Sequence, residues 1–328
     1  MSRVKKNITE EKFTACRLPL AAENTYIELH NISKTYEKGT VEAVKNVSFD
    51  VKKGEIFGLI GPDGAGKTSI FRLLTTLLLP DSGNASVLGF DVVNDFRKIR
   101  KEVGYMPGRF SLYQDLSIEE NLNFYATLFG TTVDENFDLI RDIYVQIEPF
   151  KKRRAGQLSG GMKQKLALCC ALIHKPRVLF LDEPTTGIDP VSRKELWEML
   201  RKLKSEDIAI LASTPYMDEA LQCDRIGLIK NGEIMKIDTP QHLIESFQKS
   251  LYAVSADNIY HLLLALEKYP KRINSYAFGE NVHAVFEGAE KELEDFLSAN
   301  NLKNIKIEKT KATVEDCFID LSTEVNNK

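Results

Sequence analysis

Read by its apolar positions, the chain changes period several times. Tyr26-Ile27-Glu28-Leu29 and the stretch Glu42-Ala43-Val44-Lys45-Asn46-Val47-Ser48-Phe49-Asp50 alternate apolar with polar residues. That period predicts two short strands that pair, with Tyr36 between them. Glu55 to Ile60 is a brief apolar run that ends in glycines, and Ser69 to Leu79 follows with helical spacing. From about 92 to 156 strand character gives way to helical patterns, one of them opening at Ser117-Ile118-Glu119-Glu120 with a serine cap and a glutamate three positions on. This stretch reads as a helical insert. A helix opened by Ser159, a strand Arg177 to Leu181, a helix over about 191–205 and a strand Ile208 to Ala212 come next. Short apolar strands alternating with helices predict an α/β fold, a mostly parallel sheet covered on both faces.

Beyond about residue 247 the period changes again. Ser250 to Ser255 is strand-like, Asn258 to Tyr269 helical, and Ile273 to Phe278 with Val282 to Glu287 a hairpin around Gly279-Glu280-Asn281. Ala289 to Asn300 is helical and Asn304 to Lys309 strand-like, which gives β-α-β-β-α-β, the ferredoxin-like order. The alternative is a loosely packed tail. No clustered polar or metal-ligand set stands out there, which favours a brace or a dimer contact over a ligand sensor.

With 328 residues the chain can bury one large core and a smaller one, because single cores stop growing near roughly 250–300 residues. The expected division is an N-terminal extension over 1–25, flexible; a main domain over 26–246 that includes the insert at about 92–156; and a small α+β domain over 247–328. Hydrophobic residues make up 43% and the net charge is −3, the composition of a folded protein and not of a general nucleic-acid binder. No apolar run approaches the roughly 18–20 residues that span a bilayer, and the first 24 residues hold no signal-type apolar stretch, so a cytoplasmic location is expected. Five cysteines (Cys16, Cys169, Cys170, Cys223 and Cys317) are odd in number and lack metal-ligand spacing, and they read as reduced and structural. Adjacent Cys169 and Cys170 point about 100° apart on a helix, which suits apolar packing better than joint chemistry.

The chemistry begins at Gly61-Pro62-Asp63-Gly64-Ala65-Gly66-Lys67-Thr68-Ser69, between a strand and a helix. Glycines at 61, 64 and 66 let successive backbone N–H groups face an anion, and the following helix adds its positive N-terminal end. Lys67 supplies a point charge for outer phosphates and Thr68 a hydroxyl for Mg²⁺. Asp182 ends the apolar strand Val178-Leu179-Phe180-Leu181, where a carboxylate can reach a metal ion from the carboxyl edge of a parallel sheet. Glu183, one residue on, points differently and can polarise an attacking water. The bland reading of an Asp-Glu pair at a strand end is a turn cap. Lys151-Lys152-Arg153-Arg154 reads as a solvated helix end before it reads as a phosphate or nucleic-acid patch.

Between these two motifs lies Leu158-Ser159-Gly160-Gly161-Met162, and with that order the chain resembles, over about 26–245, the nucleotide-binding subunit of a bacterial ABC transporter. The resemblance implies a P-loop NTPase of the ABC type, with an antiparallel β subdomain beside the parallel sheet, that hydrolyses ATP with Mg²⁺. It implies that Tyr36 stacks on adenine and that residues 158–162 close over ATP held by a second ATPase subunit. The loop Gly187-Ile188-Asp189 would touch that subunit. Tyr216-Met217-Asp218-Glu219-Ala220 and Thr313-Val314-Glu315-Asp316-Cys317-Phe318-Ile319 resemble drug and multidrug exporter ATPases, whose pore is a separate integral membrane permease. The implied place is the inner face of the cell membrane, peripheral, with no nucleic-acid partner.

Two positions depart from that family pattern. In Gly104-Tyr105-Met106-Pro107-Gly108 the family's glutamine is replaced by Gly108, and in Ser213-Thr214-Pro215-Tyr216 its switch histidine is replaced by Pro215. Neither can place a hydrogen-bonding side chain on a phosphate or a catalytic water. Losing one such donor costs about 10² to 10³ in rate. The expectation is therefore slow turnover at this chain's own site and an asymmetric heterodimer in which residues 158–162 serve a better-equipped partner. A homodimer would hold two impaired sites. The alternative is a non-hydrolysing, nucleotide-gated binding module; a soluble ABC protein of translation or DNA repair fits poorly, because the gap from Thr68 to Ser159 is too short for a long coiled coil.

Overall fold

The computed structural model describes residues 24–326. β1 (Thr25–Tyr36) and β2 (Val41–Lys52) form an antiparallel ribbon that pairs Glu28 with Asp50 and Leu29 with Phe49. Each strand runs 12 residues, longer than the alternating stretches suggest, and Tyr36 is the last residue of β1 instead of lying between strands. Asn31 and Asn46, both at positive φ, sit at breaks in register that interrupt the alternation and hide the continuity.

β3 (Ile56–Ile60) is buried at every residue and runs through the loop at 61–66 into α1 (Lys67–Leu74). The helix was expected over Ser69 to Leu79; it starts two residues earlier, because Gly66 at φ +103° turns the chain directly into it. It stops early because Thr76 takes φ +62° and the amides of Leu77 and Leu78 both turn back to the Arg72 carbonyl. β4 (Ser82–Val87) and β5 (Phe90–Asp91) complete a four-stranded antiparallel sheet in the order β2-β1-β4-β5.

The helical segment corrects one expectation. After α2 (Phe96–Glu102) comes a strand, β6 (Val103–Met106), which pairs in parallel with a later strand at the edge of the main sheet. Four residues between the charged helix and Pro107 are too few to show a strand period. α3 (Ile118–Leu128) starts on the predicted capping box, with Ser117 and Glu120 bonding each other's backbone, and α4 (Phe137–Tyr144) follows. Asn121, fully buried on α3, donates to the carbonyls of Tyr113 and Ser117 and accepts from the Tyr113 amide, so it shapes the loop that arrives from Gly108.

α5 (Gly160–Leu172), β7 (Val178–Asp182), α6 (Pro190–Lys204), β8 (Ala209–Thr214), β9 (Arg225–Lys230), β10 (Glu233–Asp238) and α7 (Pro240–Glu245) complete the larger part. Its six-stranded sheet runs β10-β9-β3-β8-β7-β6, with β10 antiparallel at one edge and all other neighbours parallel. Apolar side chains bury one core on each side of it, the covered α/β sheet that the runs of Ile, Leu and Val predict. Cys169, Cys170, Cys223 and Cys317 are free and buried, and burial pushes the Cys169 and Cys170 thiols well above their ordinary value. Cys16 and the rest of the N-terminal extension through residue 23 lie outside the described residues.

The last elements are β11 (Leu251–Ser255), α8 (Ile259–Glu267), β12 (Arg272–Phe278), β13 (Asn281–Phe286), α9 (Glu290–Ala299), β14 (Lys306–Thr310) and α10 (Val314–Asn326). The four strands form an antiparallel sheet in the order β12-β13-β11-β14, the ferredoxin-like arrangement, over a core of Val254, Leu262, Leu266, Val282, Leu293 and Leu297. A loosely packed tail is thereby set aside.

A polar cluster that the sequence did not reveal ties this sheet to α10. The Asp316 carboxylate, buried to 1% exposure, accepts from the Thr313 amide and hydroxyl at 2.6 Å each, meets His283 Nδ1 at 2.6 Å, and accepts from the Tyr276 hydroxyl. Tyr276 and His283 stand on two strands 40 and 33 residues before Asp316, so no local pattern announces the cluster. On its other side α10 sends Val314 and Cys317 into the larger core, where the Cys317 thiol meets the Leu243 carbonyl.

Burial by itself pushes the Asp316 carboxyl up, but the hydrogen bonds from Thr313, Tyr276 and His283 outweigh it and hold the group below its ordinary value. A carboxyl depressed in the folded state stabilises above its unfolded pKa of about 4, and that contribution drains away as pH falls further. Asp316→Ala should lower stability by about 2–4 kcal/mol near pH 7, read from urea unfolding, because it strands buried donors. The difference between the two proteins should shrink below about pH 4.

Candidate functional site

Three parallel strands end level with one another and bring the predicted residues together. In register, Ile60 of β3 pairs with Thr214 of β8, and Ser213 of β8 pairs with Asp182 of β7. The loop after Ile60 leaves Pro62, Asp63 and Gly64 exposed, while Ala65 and Lys67 are buried. Gly66 admits no other residue, since a Cβ there would lie 2.2 Å from the Ala43 carbonyl oxygen. The first amides of α1 have no acceptor inside the helix, and its first turn carries no acid, so this end attracts an anion.

Lys67, 3% exposed, donates to the carbonyls of Gly61 at 2.8 Å and Pro62 at 3.0 Å, and its ammonium stands 3.3 Å from Glu183 Oε1. Asp182 is 2% exposed and its Oδ1 accepts from the Ser213 hydroxyl at 2.7 Å. Glu183 takes φ +53°, and its amide donates to Ser213 Oγ at 3.0 Å and to the Ser213 carbonyl at 3.2 Å. Ser213 therefore fixes both acids, a role that sequence reasoning missed; the available signal was a hydroxyl closing an otherwise apolar strand. Burial, reinforced by the Asp182 charge, pushes the Tyr105 phenol up to about 12. Thr68 and Ser69 are half-buried at the start of α1, and the half-buried Tyr36 reaches that helix through a contact between its hydroxyl and Ser69 Oγ at 3.1 Å.

Gly108 packs against Asp182 and Glu183, and Pro215 lies two residues beyond Ser213, which pairs with Asp182. A Cβ at 108 would lie 3.1 Å from the Asp182 backbone carbonyl and 3.7 Å from Glu183 Cβ, so a longer side chain would start beside these two residues, and glycine leaves that place bare. Pro215 follows Thr214, whose hydroxyl accepts from the Tyr216 amide at 3.0 Å. Beyond Gly108 a groove of about 300 Å³ runs between β6, α3 and α5, lined by Met106, Leu112, Tyr125 and Phe129. At its side His174 stacks on Phe129 at 3.7 Å, and burial pushes its imidazole down to about 4, which leaves it neutral. Leu77 (57% exposed) and Tyr113 (52%) are large apolar side chains left open at or near this groove.

The segment Leu158 to Met162 stands elsewhere. Leu158 is buried, Ser159 caps α5 by accepting from the Met162 amide at 3.3 Å, and Ser159 and Gly160 face solvent. Asp189 caps α6 by accepting from the Val191 and Ser192 amides at 3.1 and 3.0 Å, and these bonds, Ser192's first, hold its carboxyl below the ordinary value. The two helix starts touch: a Cβ at Gly161 would lie 2.6 Å from Ser192 Oγ. Among the described residues, no hydrogen bond or ion pair joins 158–162 to 61–69. The acids and the phosphate loop thus form one cluster, and the serine-glycine helix start forms a second, exposed one.

A family model described as ABC transporter matches residues 44–186. The chain is 38% identical over 299 residues to the probable multidrug ABC transporter ATP-binding protein YbhF of Escherichia coli, a match covering 90% of this chain and 52% of that protein. It is also 38% identical over 220 residues to the linearmycin resistance ATP-binding protein LnrL of Bacillus subtilis, covering 66% of this chain and 70% of that one. The chain thus spans about half the length of YbhF and more of LnrL. The dimeric structure of MJ0796, a bacterial ABC transporter cassette, superposes with a TM-score of 0.59 at 26% identity, over 65% of this chain and 98% of that one.

Gly161→Ala should drive a methyl group into Ser192 and cost about 1–3 kcal/mol in urea unfolding. Adding Ser192→Ala, which removes the nearest atom, should recover most of the loss.

Proposed function

This chain belongs to the ATP-binding proteins of ABC transporters, and on that premise we propose that it is the ATP-binding subunit of an exporter, whose own site turns over slowly and whose Leu158–Met162 segment completes the site of a second ATPase subunit. The observation that carries this reading is the separation of the two clusters: Lys67, Asp182 and Glu183 converge at the ends of β3 and β7, while Ser159 and Gly160 are exposed apart from them. A solvent-exposed helix start that is not bonded to its own phosphate loop suits a triphosphate held by a neighbour. The dimeric cassette to which the chain is similar supports a paired arrangement.

In this reading Gly61, Pro62, Asp63, Gly64, Ala65 and Gly66 wrap the phosphates of ATP with backbone amides, Lys67 neutralises the outer phosphates, Ser69 lies on the phosphate side of α1, and Tyr36 offers its ring to the adenine. The residues present suit Mg²⁺: Thr68 carries a hydroxyl at the helix start, and Asp182 keeps Oδ2 free of any described donor while Ser213 holds Oδ1. When bound, Mg²⁺ supplies charge neutralisation across the phosphate oxygens. Glu183 orients water as general base once ATP draws Lys67 away from it. Nothing at Gly108 or Pro215 can hold that water or the γ-phosphate, which supports weak hydrolysis here and a preference for a heterodimer. Asp189 lies beside Gly161 and Ser192, where it can meet the second subunit.

A separate membrane permease docks on the groove beyond Gly108, and the open apolar side chains Leu77 and Tyr113 support that contact. The chain then lies at the inner face of the membrane, peripheral. Among the described residues no helix is long and apolar enough to cross it. The drug-resistance and multidrug names of the relatives support export. The same losses at 108 and 215 favour a second reading, a nucleotide-gated module that never hydrolyses.

The purified chain should bind ATP yet hydrolyse it at least about 10²-fold more slowly than its assembly with the ATPase partner. Ser159→Arg should abolish the faster turnover of the assembly. Fast hydrolysis by the chain alone contradicts the asymmetric reading, and an assembly that binds ATP without any turnover supports the gated module.

A further inference from the structure

Behind the site lies a second connection that the roles above do not use. Thr185, two residues past Glu183 and fully buried, donates its hydroxyl to Glu219 Oε2 at 2.9 Å. Glu219, 2% exposed, belongs to the 3₁₀ turn Met217–Gln222 that follows Pro215, and its Oε1 lies 3.4 Å from Arg193 Nε. The Arg193 guanidinium also covers the Tyr216 ring at 4.1 Å. On its own helix Arg193 donates its amide to the carbonyl of Asp189 and follows Ser192, the residue against which Gly161 packs. One arginine therefore touches the segment after Pro215, faces through Glu219 the Thr185 hydroxyl two residues past Glu183, and sits on the helix capped by Asp189.

This junction is incompletely bonded. Arg193 Nε and Glu219 Oε1 face each other without a hydrogen bond of good geometry, and the buried Trp197 Nε1 has no partner among the described residues. All three residues line one cavity of about 230 Å³ beneath α6. Unmet buried donors and acceptors beside free volume make an arrangement that can tighten: a shift of a few tenths of an ångström would close the Arg193–Glu219 bond and move the start of α6.

We propose that Arg193 is a positioning residue that passes the nucleotide state of the Asp182–Glu183 edge, through Thr185 and Glu219, to the Gly161–Asp189 surface; this rests on the reading of that surface as the one offered to a second subunit. A proline at 215 makes such an anchor from behind the more consequential, because the segment it begins has no side chain of its own at 215 to hold it against a phosphate.

The chain carries its own reporter, because Trp197 is its sole tryptophan and lines this cavity. The full chain is titrated with ATP and Mg²⁺ while tryptophan emission is recorded, and occupancy is measured separately with radiolabelled ATP by equilibrium dialysis. The expected result is a saturable emission change that tracks occupancy. Arg193→Lys, which keeps the charge but loses the planar fork, and Thr185→Val, which keeps the shape but loses the hydroxyl, should bind labelled ATP within about threefold of the parent and lose the emission change. Two variants from opposite ends of the connection guard against one failing to fold, with urea unfolding as the check. Silent Trp197 in the ATP-bound parent, or a full response in either folded variant, overturns the inference alone. Absence of ATP binding overturns the functional reading and the inference with it.

Discussion

The structure depends on one constraint, the register of three parallel strands. Because β3, β8 and β7 pair so that Ile60, Thr214 and Asp182 end at one level, a glycine loop, a hydroxyl and an adjacent pair of carboxyl groups meet from three segments far apart in sequence. A parallel sheet buried on both faces holds that level rigidly, since sliding a strand would break its ladder and its packing on both sides. Ser213 turns the alignment into chemistry, joining Asp182 by its hydroxyl and the Glu183 amide by both its oxygens.

Around this edge the chain is unevenly equipped. In the proposed reading the phosphate loop, metal-side hydroxyl and acids are all present, and of the two positions without a polar side chain Gly108 packs against Asp182 and Glu183 and Pro215 lies two residues beyond Ser213, the partner of Asp182. On the same reading these losses bear on the placing of water and γ-phosphate and leave the grip on phosphate and the exposed start of α5 intact. The proposed asymmetric partnership rests on that distribution: in this reading the retained features serve binding and the neighbour, and the missing ones local bond cleavage.

The C-terminal part is fastened on two sides. Asp316 clasps Tyr276 and His283 of the antiparallel sheet, while Val314 and Cys317, on the same helix, enter the core of the larger part. A helix that is polar toward one unit and apolar toward another braces them, and the polar side gives the contact its orientation. This favours the bracing role over a free appendage. It also sets α10 beside the turn that carries Glu219, at the rear of the site.

By itself the sequence determined what local pattern can encode: strand and helix periods, the glycine loop before a helix, the acid pair closing an apolar strand, the Ser117 capping box, and the β-α-β-β-α-β order. It also exposed the two substituted positions, because each sits within a short recognisable run. Tertiary structure alone decided which distant residues meet. The strand β6 was too short to show a period; α1 was displaced by a glycine whose φ no alphabet prints; and Ser213, Asn121, Arg193 with Glu219, and Asp316 with His283 acquire their roles only from partners that chain separation hides. The physical reason is that hydrophobic periodicity is a property of neighbours along the chain, whereas a buried polar group is specified by whichever donor or acceptor the finished packing delivers to it.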